Sequence, residues 1–122
     1  MAAWEPSSIA QRLRDVVIYG SSILETVQNL SFEDFARDPI RQKAVAYDFQ
    51  CVSEATAGVL KLDPSLSERY PSIPWSQVRA LANVTRHEYG RLDVRILWQT
   101  ATGDRLAELI RVARTELGEP AD

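Results

Sequence analysis

His87 is the only histidine in the chain. It stands in the run Leu81-Ala82-Asn83-Val84-Thr85-Arg86-His87-Glu88-Tyr89-Gly90. Tyr89 lies two residues beyond it, Asn83 four before it, and Arg79, Arg86, Arg91 and Arg95 lie on or close to the segment. An imidazole titrates near neutrality and serves as a general acid or base. Guanidinium groups bind phosphate through paired hydrogen bonds. On a continuous helix Asn83 and His87, four residues apart, share a face. Such a set suits metal-free RNA cleavage: the ribose 2′-hydroxyl attacks the adjacent phosphorus, a base removes its proton, and cationic donors stabilise the developing charge. A His near a Tyr at a helix end also fits a structural hydrogen-bonding pair, so the segment alone leaves both readings open.

The chain around it bounds what that chemistry can involve. At 122 residues it is read as one domain, 1–122 with a core of about 9–117, large enough to bury an interior without cross-links. One Cys and one His leave no disulfide within a chain and make a His/Cys metal site untenable; no metal ligand and no cofactor is assigned. Cys51 is read as a small buried hydrophobe. The N-terminal residues carry no basic, apolar leader pattern, and no stretch reaches the ~20 apolar residues of a membrane span. The expected location is the cytoplasm, with no membrane partner. A net charge of −3 excludes a generic nucleic-acid coat. Residues 79–95, however, hold four arginines against Glu88 and Asp93, a local excess that fits a phosphate-facing cleft. Arg91 and Arg95 fit solvated surface charge equally well.

The elements that position this segment all read as helices. Ser7 and Ser8 are cap candidates, and Ile9, Leu13, Val16, Val17, Gly20, Ile23, Leu24 and Val27 recur at helical spacing. Asn29 and Ser31 mark a break. Ser31 to Phe35 reads as a short capped turn with Glu33 and Asp34 near its positive end. Asp38-Pro39 starts a helix to about Leu62. Its apolar side is expected to carry Ile40, Ala44, Tyr47, Asp48, Cys51, Ala55, Val59 and Leu62, widened by Val45, Phe49 and Val52. That is more than one partner helix covers, which suggests that part of it faces a second chain. Glu54 is expected to be partly buried, paired to an arginine or orienting a catalytic group. Pro64, Pro71 and Pro74 make residues 63–74 a connector with a short turn around Leu66–Arg69. Trp75 opens a third helix, with Val78 and Leu81 toward the core, to about Arg86. Asp93 caps a fourth, broken at Gly103-Asp104 and continuing through Leu106, Leu109, Ile110, Ala113 and Leu117. Trp75 and Trp98 are read as packing residues, and Tyr19 and Tyr47 as structural. With no strand signal, the fold is all-α, an up-and-down bundle of four to five helices.

Ile73-Pro74-Trp75, Val78, Asn83, His87-Glu88-Tyr89 and Leu97-Trp98 together resemble the HepT-like branch of the HEPN-domain toxins. Phe32-Glu-Asp-Phe35 with Asp38, Arg41 and Ala44 agrees, and so does Val52-Ser53-Glu54-Ala55 where that family often has Ile-Gly-Glu-Ala. The resemblance covers roughly residues 9–115. It implies a homodimeric helical bundle acting as a metal-independent ribonuclease toxin on RNA. The implied partner is a minimal nucleotidyltransferase antitoxin that transfers AMP to the motif tyrosine. His87 and Tyr89 match the family motif of Arg, four residues, His, one residue, Tyr, and Asn83 matches its usual Asn. Tyr89 is then the modification target, and Arg79, Arg86 and Arg91 are candidate RNA contacts.

The motif arginine falls on position 82, where this chain has Ala82. Losing one preorganised donor typically costs ~10²–10³ in rate. Three explanations stand: an engineered inactive variant, a natural member that kept only a binding role, or substitution by Arg79 or Arg86. The last requires a bend, because neither residue would place its guanidinium where the motif arginine sits. The expectation is a chain that binds its partners and cleaves poorly or not at all; the alternative is a non-catalytic dimeric module that docks a nucleotidyltransferase.

Overall fold

The computed structural model describes residues 8–81 and 93–119. Every regular element among them is helical: α1 (Ile9–Val27), α2 (Phe32–Ala36), α3 (Pro39–Leu62), α4 (Leu66–Arg69), α5 (Trp75–Arg79), α6 (Val94–Thr102) and α7 (Asp104–Glu116). The all-α bundle read from the sequence is therefore observed. α1 and α3 form its central pair; α7 and α6 pack on α1, while α2 and α5 pack on α3. No described helix is long and apolar enough to cross a membrane.

The helix starts follow from their caps. Ser8 Oγ accepts from the Gln11 N–H at 3.1 Å. Ser31 and Asp34 form a reciprocal capping box on α2. Asp38 accepts from the Arg41 N–H with Pro39 in the first turn of α3, and Asp93 accepts from the Ile96 N–H to start α6. After α1 the chain turns through Asn29 in the left-handed region (φ 64°), which Asn tolerates better than most residues. The core centres on Ile23, Phe35, Val45, Phe49, Val52, Val59 and Leu97, all nearly inaccessible. A Cβ at Gly20 would lie 2.9 Å from Ile110 Cγ1, so α1 and α7 approach at a spacing that suits glycine.

Four sequence expectations need correction. The broad apolar side of α3 splits in two. Val45, Phe49, Val52 and Val59 face the core, whereas Ile40 is 81% exposed, Tyr47 59% and Leu62 47%, with Ala44 exposed as well. At 3.6 residues per turn the two sets lie about a third of a turn apart, too far to share one seam. Cys51, on the outer set, is half-buried instead of enclosed. Glu54 is exposed, on the edge of α3 that carries Lys43 and Tyr47. Finally, the helix opening at Trp75 is interrupted early. α5 closes at Arg79, and the Ala80 N–H is shared between the Ser76 and Gln77 carbonyls, each at 3.1 Å. Helix resumes at Leu81. Part of the reason lies across the interface, where the buried Ser53 hydroxyl takes the Arg79 carbonyl at 2.9 Å.

Candidate functional site

The approach to the His87 segment is built by the proline-rich connector. Trp75 Nε1 donates to the Tyr70 carbonyl at 2.9 Å, and Ile73 is buried. Arg69 bridges Asp63 and Glu116 at 2.9 and 2.8 Å, and the Tyr70 hydroxyl donates to Glu116 at 2.7 Å. Hydrogen bonding to Arg69 lowers the Asp63 carboxyl, and the bond to Glu116 raises the Tyr70 phenol. α4 is thereby tied to the end of α7. α5 then lies on α3, fixed by Val78 in the core and by the Ser53–Arg79 bond. Leu81, the last described residue before the segment, is buried.

The far end is equally fixed. Asp93 caps α6, and Leu97 is 1% exposed. Trp98 packs on Phe35 at 5.4 Å between ring centroids and edge-on to Phe32 at 6.2 Å. Arg95 lies with its guanidinium 4.1 Å above the Phe32 ring. Trp75 and Trp98 thus serve packing, as read from the sequence: both are partly buried against the core.

Of the sequence-derived site residues, Arg79 is described, and it is exposed at the end of α5. Ala82, Asn83, Arg86, His87, Tyr89 and Arg91 lie outside the described residues. What the structure brings together is their frame: residues 82–92 are strung between Leu81 and Asp93, with one arginine, Arg79 or Arg95, close to each end. A cavity of about 370 Å³ lies beside Leu81, walled by Phe49, Val78 and Leu106, with Gln77, Gln99 and Arg105 among its polar residues. Sequence reasoning missed this cavity. Its signal is the Gly103 break, which brings Thr100, Arg105 and Leu106 around one corner. Among the described residues no cluster of His, Cys, Asp and Glu could hold a metal ion.

One titratable group is enclosed in the α1–α3 seam. Asp48 is 7% exposed, and burial pushes its carboxyl above the usual range, partly opposed by a hydrogen bond from Ser22. Beside it, burial likewise raises the Cys51 thiol.

The described residues form an all-helical bundle in which Leu81, buried, and Asp93, the cap of α6, flank residues 82–92. A family model described as "Ribonuclease HepT-like" matches residues 11–115, and the chain belongs to that family. It is 31% identical over 93 residues to the "Probable ribonuclease HepT" of Thermococcus cleftensis, covering 75% of this chain and 81% of that one. It is 31% identical over 78 residues to a protein named as an RNase from Caldanaerobacter subterraneus subsp. tengcongensis, covering 64% of this chain and 67% of that one. A protein of Methanocaldococcus jannaschii, also named as an RNase, is 28% identical over 90 residues, 73% of this chain and 71% of the other. No solved structure matches the chain.

Proposed function

We propose that this chain is the toxin of a toxin–antitoxin pair, a metal-independent RNA endonuclease working in the cytoplasm as a homodimer of one helical domain. The observation that carries the reading is the match to the HepT-like ribonuclease family over nearly the whole chain, which includes the His87-x-Tyr89 segment. In this reading His87 moves a proton at, or orients, the ribose 2′-hydroxyl. Asn83 supports the constellation, and Tyr89 supplies a hydrogen bond. Arg79, Arg86 and Arg91 contact RNA phosphates. A nucleotidyltransferase antitoxin silences the site by transferring AMP from ATP to the Tyr89 hydroxyl, with pyrophosphate leaving.

Ala82 stands where the motif places its phosphate-binding arginine, so this chain binds RNA and partner but cleaves weakly. That same residue favours a second reading, a non-catalytic module that docks the nucleotidyltransferase. Restoring the arginine separates the two. Ala82→Arg is expected to gain RNA cleavage by ~10²–10³-fold, unaffected by EDTA, and to arrest growth. Ala82→Arg combined with His87→Ala is expected to do neither. If the restored form leaves RNA intact and cells unharmed, the nuclease reading fails and the docking module stands. Incubation with the antitoxin and ATP should add adenylate mass to Tyr89 and none to Tyr89→Phe.

A further inference from the structure

Three helices leave a recess where they meet beside Leu81. α5 brings Gln77 and Val78 to it, the end of α6 brings Gln99, and the start of α7 brings Arg105 and Leu106, with Phe49 of α3 behind them. Phe49, Val78 and Leu106 are buried and form apolar walls. Gln77, Gln99 and Arg105 are exposed, so the polar part of the lining lies toward solvent. A Cβ at Gly103 would lie 3.0 Å from the Gln99 carbonyl oxygen, so the corner that carries Gln99 and Arg105 is tightly turned. The volume of about 370 Å³ is that of a site for a small ligand, and apolar walls with a few polar groups are what such sites are made of.

The polar groups narrow the ligand. A carboxamide carries a donor and an acceptor side by side, which matches the paired N6 and N7 groups on one edge of adenine. On the corresponding edge cytosine offers one donor, which calls for a carboxylate, and uracil, like thymine, one acceptor. No acidic residue lines the cavity among the described residues; Asp104, next to Arg105, is not part of the lining. The apolar walls suit the flat faces of an unstacked base. The charge beside the cavity is positive. Arg105 lines it, Arg79 stands between the lining residues Val78 and Ala80, and neither has an ion-pair partner among the described residues. Guanidinium groups so placed match the phosphates on either side of a bound base. Leu81 also lines the cavity, and it directly precedes position 82, where the family motif begins. A base held there sets the register of the strand that continues toward the motif.

We infer that this cavity takes one unpaired adenine of single-stranded RNA, with Gln77 and Gln99 reading its edge and Arg105 holding a neighbouring phosphate. The inference rests on the reading of the chain as an RNA-binding member of its family and adds a base preference to it. Two amides against one guanidinium favour adenine over guanine, whose O6 and N7 pair with arginine. Base contacts of this kind specify sequence, while the arginine contacts position the strand.

The test uses the full chain as it stands, with Ala82, so that binding is read apart from cleavage. Fluorescence anisotropy follows short labelled single-stranded RNAs of A, G, C or U across a salt series, with circular dichroism to confirm that each variant is folded. The A oligomer should bind tightest. Gln77→Leu combined with Gln99→Leu keeps the side-chain bulk and removes the hydrogen bonds; it should lower the preference for A over U by about fivefold or more, the discrimination of one paired amide contact. Arg105→Ala should weaken all four RNAs alike and reduce the salt slope of log K by about 0.7, the share of one single-strand phosphate contact. A chain that binds none of the four defeats this inference and the RNA reading together. Equal binding of all four, or preference for another base, defeats the inference and leaves the RNA reading standing. An adenine preference that the glutamine double variant retains places the reader elsewhere and defeats it too. An unchanged salt slope in Arg105→Ala overturns the proposal as stated.

Discussion

The hydrogen bond from Ser53 to the Arg79 carbonyl carries a local prediction about the frame of the site. Ser53 is 4% exposed and its Oγ lies 2.9 Å from the Arg79 oxygen, joining α3 to the end of α5 twenty-six residues away. Ser53→Ala removes the donor while keeping a good helix former, so helix propensity does not oppose the loss. A net intramolecular hydrogen bond is worth about 1 kcal/mol, and the deserted carbonyl, on the exposed Arg79, can recover part of that from water. For a chain of this length 1 kcal/mol corresponds to a Tm decrease of roughly 4 °C. The more specific readout is tryptic cleavage after Arg79. Its bond to Ala80 is guarded by the docking of α5, so a loss of about 1 kcal/mol raises the locally opened population, and the cleavage rate, roughly fivefold. Cleavage after Arg111, in the last helix, proceeds by local opening of α7 with α5 still docked on α3 and should be little accelerated. Equal acceleration at both sites, or none at Arg79, would refute the claim that this bond anchors the approach to residues 82–92.

Two further outcomes concern the interior. Thr56 is 2% exposed and its Oγ1 has no hydrogen-bond partner among the described residues, so Thr56→Val, nearly equal in shape, should raise the denaturant midpoint, with a gain of about 1 kcal/mol; an unchanged or lowered midpoint would show that the hydroxyl is satisfied. Asp48 is held above the usual carboxyl range by burial, so the folded chain binds this proton more tightly than the unfolded chain does. Its effect on stability is absent below the unfolded pKa of about 3.9, grows unfavourable as pH rises toward the folded pKa, and stays constant above it. Asp48→Asn should therefore raise Tm at pH 7, and the gain should shrink as pH falls from the raised folded pKa toward about 4 and be absent below it. A difference that does not vary with pH would rule out this cause.

What could be read from the sequence divides by the range of the interaction that decides it. Helix starts depend on residues within one turn, and Ser8, Ser31, Asp38 and Asp93 all cap as their side chains and spacing imply. The short helix in the connector, Leu66–Arg69, is likewise local, bounded by Pro64 and Pro71. The early closure of α5 was not legible, because a hydroxyl on α3 takes the Arg79 carbonyl and no local pattern announces that contact. The exposure of Glu54 and the half-burial of Cys51 were misread for a related reason. Spacing gives the angle of a residue around its helix but not which angles the neighbouring helices cover. The candidate site residues are read by type and motif alone, and all but Arg79 lie outside the described residues.

α3 shows why this distinction matters for function. Its inner stripe, Val45, Phe49, Val52 and Val59, builds the core. Ser53, which points between stripe and edge, fixes α5 and thus the chain entering the His87 segment. Its outer stripe, Ile40, Ala44, Tyr47 and Cys51, faces away from that core. If the outer stripe is the seam between copies, one rigid helix connects the association surface to the anchor of the site. A change of dimer geometry would then move Ser53 and the end of α5 together, because a packed helix transmits displacement as a unit. A Tyr47→Arg variant tests that coupling: in a chain carrying Ala82→Arg it should reduce RNA cleavage along with dimerisation, although Tyr47 lies on the face of α3 away from the Phe49 core. Full cleavage by the monomer would separate the two seams and leave α3 a scaffold only.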